Sequence, residues 1–245
     1  MPNIKLKIEY DGTNYGGWQR QKNSKSIQET IERVLMRILR EKVHLVASGR
    51  TDSGVHAKEQ VANFETKSNM PLDKLQKAMN SLLPEDISIN SVRKAPLDFH
   101  SRFQAKSKVY RYTILNRASP SALLRNRVYF YPYPLDTQSM KKEAGNLLGK
   151  RNFRSFQASS KKKSSAVRTI KALKVVKNQD IISIDIEADG FLYNMVRNIV
   201  GTLIEIGRGK LKKGSLREIL AAKDRSYAGP TAPAQGLCLM KVKYA

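Results

Sequence analysis

Ile4-Lys5-Leu6-Lys7-Ile8-Glu9, followed after a polar loop by Ser26-Ile27-Gln28-Glu29, is the stretch that decides the fold. Apolar and charged residues alternate in the first segment, the period-two pattern of a strand with one buried face. The second segment is a capping box, a serine with a glutamate three residues on. It opens a helix in which Ile27, Ile31, Val34, Leu35, Ile38 and Leu39 form one apolar stripe.

Working outward, residues 43–47 and 60–65 predict strands. Pro71 starts a helix with Leu72, Leu75, Met79 and Leu82 inward, and residues 86–92 predict another strand. That order, β-α-β-β-α-β, is ferredoxin-like. The second half repeats it. Lys108–Leu115 reads as a strand with Tyr110, Tyr112 and Ile114 on one face, and residues 137–148 as a helix. Residues 170–177 and 181–187 form a hairpin around Asn178-Gln179-Asp180. Phe191 to Ile206 is a helix, Ser215-Leu216-Arg217-Glu218 caps a short one, and Gly236–Tyr244 closes as a strand. The expected fold is α+β, with one half over residues 1–105 and the other over 106–245.

The 245 residues carry 45 Lys and Arg against 21 Asp and Glu, a net charge of +24. Such an excess favours a polyanion as partner, nucleic acid above all. No apolar run reaches the roughly 18 residues a membrane span needs. The alternation at the N-terminus suits a strand and not a signal peptide. One cysteine, Cys238, allows no intramolecular disulfide, and a cytoplasmic location is the expectation.

Against this charge, Ser48-Gly49-Arg50-Thr51-Asp52-Ser53-Gly54-Val55-His56-Ala57 holds one carboxylate in a glycine-flanked turn. Asp at a turn often does no more than bond its own backbone. The crowding of Ser48, Arg50, Thr51, Ser53 and His56 in the same loop suits a site better than a plain connection. Arg197 lies in the apolar helix Gly190–Gly201, where it is either buried and in need of a carboxylate or on a polar face. Tyr110, within Lys106-Ser107-Lys108-Val109-Tyr110-Arg111-Tyr112, reads as a base-stacking residue beside phosphate contacts or as a core tyrosine. Ser159–Ser165, with three lysines and no apolar residue, reads as a solvated loop or as one that tracks phosphates.

Other chemistries lack their residues. His44, His56 and His100 show no metal-ligand spacing, no glycine-rich nucleotide motif sits at a strand-to-helix junction, and no GxSxG elbow occurs. Asp52-Ser53-Gly54 has no second copy to form an aspartic-protease pair. No metal or organic cofactor is expected.

Six motifs together resemble the tRNA pseudouridine synthase A family. They are Tyr10–Tyr15 with Gly17-Trp18-Gln19, Gly49–Ala57, Ser101-Arg102-Phe103 with Tyr110-Arg111-Tyr112, Phe153–Phe156 with Val167–Ile170, Gly190-Phe191-Leu192 with Met195–Asn198, and Ala232-Pro233-Ala234 with Gly236-Leu237. Ser53 departs from a frequent alanine. The resemblance implies two halves sharing a mixed, mostly antiparallel sheet, with the active-site cleft between them. It implies an isomerase that detaches uracil from ribose C1′, turns it and rejoins it through C5. By resemblance Asp52 is the nucleophile, and Tyr110 stacks on the uracil and takes its C5 proton. Arg197 pairs with the aspartate and Arg50 helps flip the nucleotide. Arg102, Arg111 and Arg168, in matched motifs, are further RNA contacts. The implied substrate is the tRNA anticodon arm at nucleotides 38, 39 and 40, acted on by a homodimer without cofactor. The competing expectation is a non-catalytic RNA-binding or RNA-chaperone module on the same fold. A pure binder would have no use for the set Asp52, Tyr110 and Arg197.

Overall fold

The computed structural model describes residues 1–158 and 165–244. The Ser/Lys run therefore lies outside the described residues except for Ser165. The chain forms two compact units, residues 1–106 with 238–245, and residues 107–237.

The first unit is built as the opening stretch dictates. Strand β1 (Asn3–Tyr10) buries Ile4, Leu6, Ile8 and Tyr10. Helix α1 (Ile27–Leu39) starts at Ser26, whose side chain accepts the Glu29 amide. Glu29 does not complete a reciprocal box, because its carboxylate pairs with Arg33 at 2.7 Å. The deeply buried stripe narrows to Ile27, Ile31 and Leu35, and polar Gln28 and Glu32 are buried beside it. Those two tie the helix to its flanks. Gln28 accepts from Gln19 and the Arg20 amide, and Glu32 accepts the Leu45 amide at 2.9 Å.

Strand β2 is only Val46–Ala47, β3 is His56–Glu65, α2 is Leu72–Leu82 and β4 is Ile87–Ala95. In α2, Leu75 and Met79 face inward as expected, but Leu82 is exposed and Leu83, just past the helix, is buried instead. The chain turns extended at Leu83, so the 3.6-residue period no longer sets which side chain points in. The strand order is β4-β1-β3, antiparallel throughout. Beyond β3, β2 pairs at Ala62 and Asn63, and the chain's last strand (Leu237–Lys243) runs parallel at His56 and Ala57.

The second unit holds β5 (Ser107–Leu115), β6 (Tyr129–Phe130), α3 (Thr137–Ala144), β7 (Gly149–Asn152), β8 (Val167–Asn178), β9 (Ile181–Ala188), α4 (Met195–Gly207) and α5 (Ser215–Ala222). Its sheet runs β5-β9-β8-β7, each neighbour antiparallel. In β9, Ile182, Ile184, Ile186 and Ala188 all face the core. Several boundaries differ from the sequence reading: α3 stops at Ala144 and a 3-10 turn over Gly145–Leu147 follows it, β8 starts three residues early at Val167, and two further shifts have a visible cause. Helix α4 begins four residues late because Asn194 sits in the left-handed region (φ 58°) and breaks the turn before it. Ser215 lies inside α5, with Gly214 at its N-cap, and its hydroxyl bonds back to the Lys212 carbonyl.

Candidate active site

Asp52 stands on the loop between β2 and β3, and that loop is gripped by the segment that follows β1. The grip is backbone against backbone. A Cβ on Gly12 would lie 2.1 Å from the Val55 carbonyl oxygen, and one on Gly17 would lie 2.5 Å from that of Thr51. Gly17 also holds φ at +96°, a region that side chains resist. Across this contact the Trp18 amide donates to the Thr51 carbonyl at 3.1 Å. The Gly54 amide and the Ser53 hydroxyl both donate to the Tyr15 carbonyl, at 3.3 and 3.1 Å. The Val55 amide closes the turn onto the Asp52 carbonyl at 3.2 Å.

Buried side chains lock both ends of the loop. Tyr10 and Thr51 share a hydroxyl–hydroxyl bond of 2.8 Å. Gln60 accepts from the Ser48 hydroxyl at 2.7 Å and donates to the Gly49 carbonyl at 2.9 Å. The Gly12 amide donates to His56 Nδ1 at 3.1 Å. The Asp11 carboxylate lies equally close to Nδ1, at 3.1 Å. Ser48, Thr51 and His56 are buried, Asp52 is half-buried, and Ser53 and Arg50 are exposed. The result is a reachable carboxylate on a mount whose ordering entropy is spent in folding and not at the moment of reaction.

The hydroxyls around the mount are held neutral. Burial pushes the Tyr10 and Tyr15 phenols well above their ordinary value of 10.0, and for Tyr15 the Asp86 carboxylate it bonds at 2.5 Å adds to the effect.

Tyr110, Arg111, Arg168 and Arg197 lie in the second unit. On β5, Tyr110 and Tyr112 share a face but differ in use. Tyr112 is wholly buried, with its hydroxyl on the Pro233 carbonyl at 2.8 Å. Tyr110 is 7% exposed and meets Phe191 edge-on, centroids 5.1 Å apart at 86°. Phe191 thus fixes the tilt of the Tyr110 ring. Arg197 occupies the first turn of α4, the positive end of the helix, and is half-buried. Its Nε donates to the Ala232 carbonyl at 2.7 Å and one Nη to Asn194 Oδ1 at 3.1 Å. Half-buried and held at two points, it is neither sunk in the core nor loose on the surface.

The loop that steers Arg197 is itself pinned to α4. A Cβ on Gly201 would lie 1.7 Å from the Pro230 carbonyl oxygen, so only glycine lets the loop cross there. Asn198, fully buried, anchors it. Its amide nitrogen donates to the Phe156 carbonyl at 2.8 Å, and its oxygen accepts from Thr231 at 2.6 Å and Arg225 at 3.1 Å. The sequence reading passed over Asn198 as a site residue. The signal was there, since an asparagine inside an apolar helix needs buried partners.

The remaining basic candidates separate by what already holds them. Arg50 and Arg102 are exposed in the first unit. Arg111 makes a bidentate pair with Asp185 at 2.7 and 2.8 Å. Arg168 donates to the Ser165 and Val167 carbonyls at 2.9 and 2.6 Å. Among the described residues no group of three or more His, Cys, Asp or Glu could hold a metal ion, and no helix is long and apolar enough to cross a membrane.

The chain belongs to the tRNA pseudouridine synthase family, whose model matches residues 7–104 and 144–245; members of that family are isomerases. It is similar over its whole length to tRNA pseudouridine synthase A of Thermoanaerobacter sp. (strain X514), at 48% identity over 244 residues and 100% of both chains. The same protein name belongs to relatives in Acetivibrio thermocellus at 48% and Clostridium acetobutylicum at 45%, again covering 100% of each chain.

Proposed function

We propose that this isomerase converts uridine to pseudouridine at positions 38, 39 and 40 of tRNA, with Asp52 as nucleophile. The observation that carries the reading is the mount of Asp52. Two glycine contacts and a set of buried hydrogen bonds hold one carboxylate reachable in a chain of net charge +24. A simple turn has no need of that rigidity.

The chemistry balances without any oxidant or reductant. The N1–C1′ bond breaks, a C5–C1′ bond forms, and one proton leaves C5 while N1 gains one. A carboxylate supplies what this needs, an anionic nucleophile that leaves again after the base has turned. Tyr110 carries the uracil and takes the C5 proton. Arg197, at the positive end of α4, keeps the nucleophile ionised. Arg50, exposed two residues before Asp52, holds the space a flipped nucleotide vacates, where unstacking costs a few kcal/mol. Arg102, Arg111 and Arg168 contribute contacts to phosphate. The chain works as a homodimer in the cytoplasm, a reading supported by family resemblance and a single cysteine, and sedimentation of the purified protein tests the dimer.

The test is to map pseudouridine in unmodified tRNA transcripts after incubation with the purified chain. Product confined to positions 38, 39 and 40 is expected. Product elsewhere only would refute the site assignment, and tight tRNA binding with no product would favour the non-catalytic binder.

A further inference from the structure

Residues 96–104 leave the end of β4 as two consecutive turns. The Phe99 amide donates to the Pro96 carbonyl at 3.0 Å, and the Gln104 amide to that of His100 at 3.1 Å. The backbone here is unusually well anchored. Ser101 is fully buried. Its amide donates to Asn63 Oδ1 at 2.9 Å, its hydroxyl donates to the Val46 carbonyl, and its own carbonyl accepts the Tyr244 hydroxyl at 2.7 Å. Two residues earlier, the Phe99 carbonyl accepts from Asn3 at 2.8 Å and from Asn63 at 3.3 Å.

What this rigid loop holds out is a phenyl ring. Phe103 is 76% exposed, so the fold gains little from burying it. The ring is nonetheless braced. The His100 imidazole lies 4.2 Å from it, centroid to centroid, tilted by 31°. His100 is in turn held by its Nδ1, which accepts the amides of Arg102 at 3.2 Å and Phe103 at 3.3 Å. The Arg102 guanidinium carbon sits 5.6 Å from the ring centroid.

An exposed aromatic face, fixed in direction and flanked by a cation, matches what a single-stranded base and its phosphate require. The flanking guanidinium and the net charge of +24 favour an anionic stacking partner over an apolar protein face. We infer that Phe103, braced by His100, is a stacking platform for an unpaired base of the bound RNA, with Arg102 on the adjoining phosphate. The inference rests on reading the chain as a tRNA-binding enzyme. It adds a point of contact distinct from the Asp52 loop.

Fluorescence and salt-dependent binding to an unmodified tRNA transcript test it. Trp18 is buried to 1%, so in the variant Phe103→Trp the added indole is the exposed reporter, and titration with tRNA should quench it saturably. Phe103→Ala should raise Kd by about five- to a hundred-and-fiftyfold, the range that stacking of one base supports. That increase should hold at every salt concentration with the slope of log Kd against log salt unchanged. Arg102→Gln should instead lower the slope by about one, the mark of a lost phosphate contact. Equal Kd for Phe103→Ala and the wild type, at equal melting temperature, overturns the inference. So does a Phe103→Ala protein that sediments as a smaller species while its Kd is unchanged, since the ring's partner is then a second copy of the chain. Pseudouridine formation by the wild type is measured on the same preparation. Its absence would defeat the functional reading, whereas its presence with unaltered binding by Phe103→Ala defeats the platform alone.

Discussion

Gly17→Ala probes the mount of Asp52 from a distance. Gly17 holds φ at +96°, and its added methyl would stand 2.5 Å from the Thr51 carbonyl oxygen, 3.0 Å from the Asp52 carbonyl carbon and 3.1 Å from the Ser53 amide nitrogen. All three are backbone atoms, so no side chain can rotate out of the way. The left-handed conformation costs about 1–2 kcal/mol, and forcing the overlap apart adds ~1–3 kcal/mol. Relief of the overlap moves the Thr51–Ser53 backbone by several tenths of an ångström, carrying the carboxylate with it. A displacement approaching 1 Å at a reacting group costs on the order of a hundredfold in rate. The prediction is a fall in turnover of about that size, with tRNA affinity changed only a fewfold. Tritium release from tRNA labelled at uridine C5 reads turnover, and filter binding reads affinity. Gly209→Ala is the control. It has φ +76° but open space around it, so it should lose about 1–2 kcal/mol of stability through strain and keep its rate. Wild-type turnover in Gly17→Ala, measured on folded protein, would refute the claim that this contact sets the carboxylate's position.

Asn198→Leu should destabilise the chain by ~2–3 kcal/mol in urea unfolding, because it leaves the buried Phe156 carbonyl without its donor and takes the Asn198 acceptor from half-buried Thr231 and Arg225; a loss under about 1 kcal/mol would show that the loop beside Arg197 is held otherwise. Tyr110→Phe keeps the ring against Phe191 and should retain tRNA affinity while losing turnover, and unchanged turnover would restrict Tyr110 to stacking. Stability should fall as pH rises above about 10, the ordinary tyrosine value. Burial raises the phenols of Tyr10, Tyr15, Tyr112, Tyr129 and Tyr244 above it, so the unfolded chain ionises first and binds fewer protons than the native one. Lys5, lowered chiefly by burial, works in the opposite sense only up to its ordinary value of 10.5, below most of the range that the phenols govern. A flat thermal-melting profile from pH 9 to 12 would contradict this.

The parts of the fold set by local periodicity were legible in the residues. Alternation in β1 and β9 and the stripe of α1 gave their elements and faces directly. Places where a single backbone angle decides the outcome were not. Asn194 in the left-handed region delays α4, and the extended turn at Leu83 swaps its side chain inward for that of Leu82. The short β2 and the last strand share the free edge of β3, a competition between segments nearly two hundred residues apart in the chain. No local pattern announces that. The candidate site divides the same way. Its polar turn stood out by composition, with Asp52, Thr51 and His56 in one loop. The grip of Gly12 and Gly17 on that turn did not, because it is contact between two backbones and leaves no mark beyond the glycines themselves. Arg111 shows the converse. The sequence offers it as an RNA contact, and its cross-strand partner Asp185 appears only once the register is known.

Replacing Asp52 by asparagine, which keeps shape and removes the charge, puts the central claim to the most direct test. Tritium release from C5-labelled uridine in tRNA should fall to background for Asp52→Asn, with the protein folded and tRNA binding within a fewfold of wild type. Release at a rate approaching that of the wild type would contradict the assignment of Asp52 as nucleophile.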